Sequence, residues 1–92
     1  MRRRAGQVTR LLKCMANEQR LLVLCQLMEG EKTAGELTEI TGISQSAVSQ
    51  HLALLRDSEI VKTRRESQYI FYSLSSREMQ AMINLLYDLY CK

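Results

Sequence analysis

The chain has 92 residues, of which 46% are hydrophobic and 25% charged, a composition typical of a folded globular protein. This length predicts one domain over residues 1–92 and excludes a two-lobed enzyme with a cleft between domains. The longest apolar run, Leu21 to Cys25, is far shorter than the roughly 18 residues that a membrane-spanning helix needs, and no secretory signal follows the basic start. We therefore expect a cytoplasmic protein with no membrane partner.

The net charge of +3 is too small to identify a nucleic-acid partner, but the basic residues are unevenly distributed. Residues 1–20 contain six basic side chains and one acidic side chain, and a second basic group comprises Lys62, Arg64 and Arg65. Such clusters fit a solvated surface as well as a nucleic-acid contact, so charge alone leaves both interpretations open.

The first two predicted helices are amphipathic. Apolar side chains at spacings of three and four over residues 7–15 predict the first helix. Asn17 is the expected N-cap of a second helix over residues 18–28, and Gly30 ends it; Arg20 stands where a capping box needs Glu or Gln. We expect the buried face of the second helix to comprise Leu21, Leu24, Cys25 and Met28, widened by Leu22 and Leu27.

The next two helices form a predicted helix-turn-helix. The short helix over residues 33–40 starts with a capping box between its first residue and Glu36. Gly42 ends this helix, because glycine readily adopts the left-handed conformation of a helix stop. Ser44 then caps a longer helix over residues 45–56, and a tight turn with glycine between two helices is typical of this motif. The expected inward face of the longer helix comprises Val48, Leu52 and Leu55.

The rest of the chain predicts a β-hairpin and a closing helix. Two short runs with β-branched and aromatic residues, 60–65 and 69–74, are connected by residues 66–68 without an Asn-Gly signal. Ser76 caps the last helix, whose apolar stripe comprises Met79, Met82, Ile83, Leu86 and Leu89 or Tyr90. The predicted fold class is mainly α with a small β-hairpin, in the order α-α-α-α-β-β-α, as in a winged helix-turn-helix.

The outward face of the longer helix carries short or amide-bearing uncharged side chains, namely Gln45, Ser46, Ser49, Gln50 and Ala53. A merely solvated helix face would be expected to carry Glu and Lys, but no charged residue lies between Ile43 and Arg56. Gln pairs with adenine through two hydrogen bonds, and Ser bonds to base edges or phosphates. This face therefore favours DNA reading over a passive surface.

The hairpin adds a predicted second contact. Arg64 and Arg65 lie beside its tip, where a wing reaches phosphates or the minor groove; the alternative is that they keep a strand edge soluble. We interpret His51 mainly as a packing or hydrogen-bonding residue at the edge of the recognition helix, with a phosphate contact as the alternative. The complete predicted DNA-binding set is Ser44, Gln45, Ser46, Ser49, Gln50, His51, Arg64 and Arg65.

Three segments carry a family resemblance. Residues 12–22, 35–37 and especially 43–52, which read Ile-Ser-Gln-Ser-Ala-Val-Ser-Gln-His-Leu, resemble the ArsR/SmtB family of winged-helix repressors over nearly the whole chain. The resemblance implies a homodimer built on the first and last helices that binds an imperfect inverted repeat in double-stranded promoter DNA. A dimer would also bury the apolar excess of these two helices, carried by Val8, Leu11, Leu12, Met15, Met79, Ile83, Leu86 and Tyr90.

Three cysteines, an odd number without an export signal, predict free thiols or a redox function rather than a disulfide framework. The pair Leu24-Cys25 and the ending Leu89-Tyr90-Cys91 are similar to the sulfur- and redox-sensing branch of the family. That resemblance implies that Cys25 and Cys91 are a sensing dithiol, whose oxidation or persulfide bridging controls promoter binding. Inert thiols are the alternative, and Cys14 matches neither position of the pair.

We expect neither a metal site nor a cofactor. Residues 36–40 lack the Cys-x-Cys of some metal sensors, the last helix offers Glu78 and Asp88 as candidate ligands, and His51 is the one histidine. No Cys-x-x-Cys motif is present, and no histidine is evidently placed to activate a thiolate, so we expect no enzyme. A winged-helix module that binds proteins alone is the remaining alternative.

Overall fold

The computed structural model describes residues 1–91, so Lys92, the last residue of the predicted domain, lies outside the described residues. After a single 3-10 turn (Arg2–Arg4), the elements are α1 (Ala5–Met15), α2 (Glu18–Met28), β1 (Lys32–Thr33), α3 (Ala34–Thr41), α4 (Gln45–Asp57), β2 (Val61–Glu66), β3 (Tyr69–Leu74) and α5 (Arg77–Tyr90). The predicted succession of four helices, a hairpin and a closing helix is confirmed, and β1 is an addition to it.

Hydrophobic periodicity did not predict β1, because a strand of two residues is too short to show a periodic pattern. Lys32 pairs with Tyr72 and Thr33 with Phe71, so that β1 and β3 are antiparallel. The sheet has the strand order β1-β3-β2, with the hairpin strands also antiparallel. This small sheet therefore joins the hairpin to the segment between α2 and α3.

Local signals set the helix ends as predicted. Each expected N-cap side chain accepts a hydrogen bond from the backbone N–H three residues later, at Asn17, Thr33, Ser44 and Ser76. The capping box of α3 is complete, because the Glu36 carboxylate also accepts from the Thr33 N–H at 2.9 Å. Gly42 follows α3 with φ 74°, the left-handed conformation expected of it.

Some element boundaries differ from the prediction. The first helix begins at Ala5 rather than at residue 7, and α4 extends to Asp57. Glu66 belongs to β2, where it pairs with Tyr69, so the hairpin loop consists of two residues rather than three. Ser67 in this loop has φ 58°, and a positive φ is what a two-residue hairpin turn requires.

The core collects one face from each helix and the base of the hairpin. The predicted inward residues of α4 are buried, and Leu24 and Leu27 are buried on α2. The prediction for α2 is wrong at two neighbouring positions: Leu22, expected on the buried face, is 46% exposed, and Val23, which was not expected there, is fully buried. The reason is tertiary, since an almost wholly apolar run leaves the choice of buried face to the neighbouring elements. The buried residues are Cys14, Val23, Leu24, Leu27, Leu37, Ile43, Val48, Leu52, Leu55, Ile60, Val61, Met79 and Ile83.

Arg20 belongs to the interior contacts rather than to a free basic surface. Its Nε donates to the Cys14 carbonyl at 2.9 Å and its Nη2 to the Lys13 carbonyl at 3.0 Å. These carbonyls lie in the last turn of α1, where backbone acceptors lack partners within the helix. Arg20 thus fixes α1 against the start of α2.

Apolar surface remains uncovered on α1, α2 and α5. Its exposed side chains include Leu12, Leu22, Leu85 and Leu89. An open groove of about 1070 Å³ lies beside α1 and α5, and Val8, Leu11 and Met82 are among its lining. In the described part of the chain, every helix is too short or too polar to cross a membrane.

Candidate nucleic-acid interface and thiol cluster

The start of α4 presents the predicted reading residues to solvent. Ser44 accepts a hydrogen bond from the Ala47 N–H at 3.2 Å and thereby begins the helix. Because Val48, Leu52 and Leu55 are buried on one side, the opposite side of the helix is exposed. All the predicted reading side chains there are exposed and uncharged, namely Gln45, Ser46, Ser49 and Gln50.

A groove of about 430 Å³ separates α4 from the hairpin. Its lining combines Ser49 and Ala53 of α4 with Tyr72 of β3 and includes Arg56 near the end of the helix. Arg56 is exposed and positive, so it could meet a phosphate approaching this groove. The sequence pattern did not single out Arg56 or Tyr72. Tyr72 faces α4 because of the strand register, and periodicity does not predict that register.

His51 of α4 is bonded to α2. Its Nε2–H donates to the Gln19 side-chain oxygen at 2.9 Å, and the imidazole is partly buried. Partial burial and the neighbouring Arg20 charge lower the pKa of His51 below its ordinary value, so the ring is neutral at pH 7. This environment fits the predicted hydrogen-bonding role.

The structure places the two wing arginines on opposite faces of the hairpin. Arg65 pairs with Ile70 and Thr63 pairs with Tyr72, so Arg65 and Tyr72 share the face that meets α4. Arg65 is exposed, and its Nε donates to the Ser67 carbonyl at 3.4 Å. Arg64, one residue earlier, points to the other face.

Arg64 is engaged by two carboxylates. Its Nε and Nη2 donate to Glu31, with Nε distances of 3.0 and 2.9 Å to the two oxygens, and its Nη1 donates to Glu66 at 2.6 Å. The guanidinium carbon lies 4.5 Å from the centroid of the Phe71 ring. The arginine lowers the pKa of Glu31, chiefly through the hydrogen bonds. Arg64 and Arg65 therefore have different chemical surroundings.

Cys25 on α2 and Cys91 at the end of α5 lie close enough to interact electrostatically. Tyr87 of α5 and the half-buried Cys25 of α2 both pack against the core, and each affects the pKa of the other. The Cys91 N–H donates to the Tyr87 carbonyl at 2.8 Å, the ordinary backbone bond at the end of a helix, and the Cys91 side chain is exposed. The packing of α5 against α2 thus brings the two candidate sensing residues near each other.

The electrostatics of this thiol cluster (Cys25, Tyr87 and Cys91) also link its members. Burial raises the pKa of the Cys25 thiol, and the Tyr87 hydrogen bond opposes this by stabilising the thiolate. Electrostatic interactions with Cys91 and Glu29 raise the Cys25 pKa further, since nearby negative charge disfavours ionisation of the thiol. Cys25 is consequently protonated at neutral pH.

Cys14 does not belong to the thiol cluster. It lies in α1, is only 5% exposed and packs in the hydrophobic core.

Within residues 1–91, no three side chains among His, Cys, Asp and Glu are grouped closely enough to hold a metal ion.

The comparisons with known proteins point to one family. The model described as bacterial regulatory protein, arsR family, matches residues 17–63. Transcriptional activator HlyU of Vibrio cholerae is 51% identical over 92 residues, covering 100% of this chain and 85% of that protein. HTH-type transcriptional regulator YgaV of Escherichia coli is 47% identical over 88 residues, covering 95% of this chain and 89% of that protein.

Solved structures agree with these relatives. Reduced HlyU from Vibrio cholerae superimposes with a TM-score of 0.95 at 51% identity, covering 100% of this chain and 97% of that one. The transcriptional repressor BigR from Xylella fastidiosa gives 0.92 at 42% identity, covering 100% and 94%. A homodimeric winged helix-turn-helix DNA-binding domain from Mycobacterium bovis gives 0.82 at 27% identity, covering 92% and 79%.

Proposed function

Because this chain belongs to the arsR family of bacterial regulatory proteins, and is a DNA-binding transcriptional regulator rather than an enzyme, we propose how it binds and releases DNA. As a homodimer it binds an imperfect inverted repeat in promoter DNA through α4 and the wing. Oxidised sulfur linking Cys25 to Cys91 then weakens that binding.

One observation supports the DNA contact most directly: the exposed N-terminal half of α4 is uncharged and lies beside the hairpin face that carries Arg65. Backbone phosphates meet no carboxylate on this part of the helix, and Gln50 and Ser49 can reach base edges in the major groove. Arg65 supplies positive charge for a phosphate. In this proposal α4 contacts the bases, and the wing contacts the phosphate backbone.

Two substitutions test this division. Gln50→Ala is expected to relax base preference, whereas Arg65→Ala is expected to weaken binding to all sequences alike and to lower the salt slope by about one. Binding is measured by fluorescence anisotropy at several salt concentrations, with genomic fragments captured by the reduced protein and with scrambled versions of them. Equal loss of preference in both variants would contradict the proposed roles.

The uncovered apolar surface supports the homodimer. Leu12 and Leu22 are exposed on α1 and α2, and Leu85 and Leu89 on α5, where a second copy would remove them from water. The similar Mycobacterium bovis domain is homodimeric. Two recognition helices related by a two-fold axis then require half-sites about 34–36 Å apart, or a multiple of this spacing. A stable monomer at micromolar concentration in light scattering would contradict this part of the proposal.

The proximity of the two thiols supports the thiol switch, since Cys91 at the end of α5 is near enough to Cys25 on α2 to influence its pKa. Each thiol takes the outer sulfur of an organic persulfide and releases the corresponding free thiol. The two cysteine persulfides then join as a trisulfide and release hydrogen sulfide. Such a bridge holds the end of α5 against α2 and changes the spacing of the recognition helices.

Persulfide treatment followed by anisotropy and mass spectrometry tests the switch. The wild-type protein is expected to release DNA, whereas Cys25→Ser and Cys91→Ser are expected to remain bound. Cys14→Ala is the matched control, because it removes a thiol outside the thiol cluster and is expected to release DNA like the wild type. If the Cys91→Ser protein still releases DNA, the proposed pair is wrong, and Cys14 becomes the thiol to examine.

A further inference from the structure

The contacts of Arg64 assign it a role different from that of Arg65. Three of its nitrogens, Nε, Nη1 and Nη2, donate to the carboxylates of Glu31 and Glu66, and its plane lies over Phe71. A phosphate would have to displace one of these carboxylates or approach a group that carries two negative charges around one positive charge. Arg64 is therefore poorly suited to bind DNA directly.

The position of the Glu31–Arg64 pair in the sheet indicates what it does. Phe71 of the central strand is paired with Thr33 of β1 on one side and with Arg64 of β2 on the other. Glu31 lies two residues before Thr33, on the segment that follows α2. The ion pair thus crosses the central strand and connects the two edges of the sheet.

This crossing point is the base of the free part of the hairpin. The row through Phe71 is the last one in which β1 takes part; the rows Arg65–Ile70 and Glu66–Tyr69 beyond it contain the hairpin strands alone. An isolated two-stranded ribbon is marginally stable and twists readily. A contact that fixes the base of this ribbon therefore sets the direction of its free end, which includes Arg65.

We propose that Arg64 is a positioning residue: bound by Glu31 across β3, it fixes the direction of the wing so that Arg65 reaches DNA, and it contacts no phosphate itself. The inference rests on the DNA contact proposed above for Arg65. Arg64 and Glu31 are both substantially exposed, and exposed ion pairs contribute little to global stability. The effect is therefore on wing orientation and DNA affinity rather than on the melting temperature.

Glu31→Gln gives the most discriminating result. If Arg64 contacted a phosphate, removing the Glu31 charge would free the arginine and reduce repulsion, so DNA would bind more tightly. A positioning role has the opposite consequence: Glu31→Gln and Arg64→Met each weaken binding by about threefold to tenfold, the range for loss of one coupled interaction. The salt slope stays unchanged, whereas Arg65→Ala lowers it by about one.

Two further measurements complete the test on the full-length protein. The double variant Glu31→Gln/Arg64→Met is expected to bind no more weakly than Arg64→Met alone. Backbone NMR relaxation of residues 65–70 in the absence of DNA is expected to reveal greater mobility in both single variants. Lys62→Met is the matched control, because it removes one positive charge from the same face of β2 outside the pair and leaves wing mobility unchanged.

The outcomes separate this inference from the proposed function. Tighter DNA binding by Glu31→Gln, a slope lowered by Arg64→Met, or unchanged wing mobility in both variants would each overturn the positioning role. Absence of an Arg65→Ala effect on the salt slope, with increased wing mobility in the two variants, would instead overturn the proposed DNA contact and leave the fixing of the wing established.

Discussion

Ser44 has an observed role as a helix cap and a predicted role in DNA binding, and substitutions can separate the two. Its hydroxyl caps α4 by accepting from the Ala47 N–H at 3.2 Å, and it belongs to the proposed DNA-binding set. Ser44→Ala removes the cap and is expected to cost about 1 kcal/mol of unfolding free energy. For a domain of this size, that loss lowers the melting temperature by about 4–8 °C. Ser44→Gly, which costs only a few tenths of a kcal/mol, is the control.

Ser44→Asp is expected to separate stability from DNA binding. The carboxylate caps the helix and is favoured by its dipole, so the melting temperature stays the same or rises. A new negative charge about 4 Å from a phosphate costs about 1 kcal/mol in water, which weakens DNA binding roughly fivefold. Thermal unfolding by circular dichroism and anisotropy with captured DNA measure the two effects. Unchanged DNA affinity in a stably folded Ser44→Asp protein would refute the predicted DNA contact of Ser44.

Four other substitutions test the same structure. Gly42→Ala is expected to destabilise the protein by about 1 kcal/mol, because φ is 74° there. Gly35→Ala is expected to stabilise it by about 0.5–1 kcal/mol, because Gly35 is helical and an added Cβ would make only an ordinary contact, 3.9 Å from Thr33 Oγ1. Chemical denaturation gives both values, and equal signs would contradict the reasoning. Leu52→Ala, at a 1% exposed position, is expected to cost about 2–5 kcal/mol in the same assay, and a loss below 1 kcal/mol would contradict its place in the core. Tyr87→Phe removes an interaction that lowers the Cys25 pKa, so that pKa is expected to rise. The pH profile of Cys25 alkylation, measured by mass spectrometry, then moves to higher pH. A shift of the profile to lower pH would contradict this interaction.

The sequence alone determined the features that depend on neighbouring residues. Helix caps, the complete capping box at Thr33 and the left-handed stop at Gly42 involve side chains within a few positions of the backbone they bind. The uncharged outward face of α4 also follows from helical periodicity, and it carries much of the family resemblance that the match over residues 17–63 confirms. These parts of the fold and of the proposed DNA-binding surface were therefore predictable.

Tertiary structure decided the features that join distant segments. The two-residue strand β1 forms because it pairs with β3, so no local sequence pattern predicts it. Adjacent arginines look equivalent in the sequence, but strand alternation places Arg65 toward α4 and Arg64 toward Glu31, 33 residues away along the chain. The contact of Tyr87 with Cys25 likewise depends on the packing of α5 against α2. Helix caps and periodic faces depend on residues a few positions apart, so they can be predicted from the sequence. Strand register and helix packing depend on contacts between distant segments, and the free energy of the whole packed core selects among them.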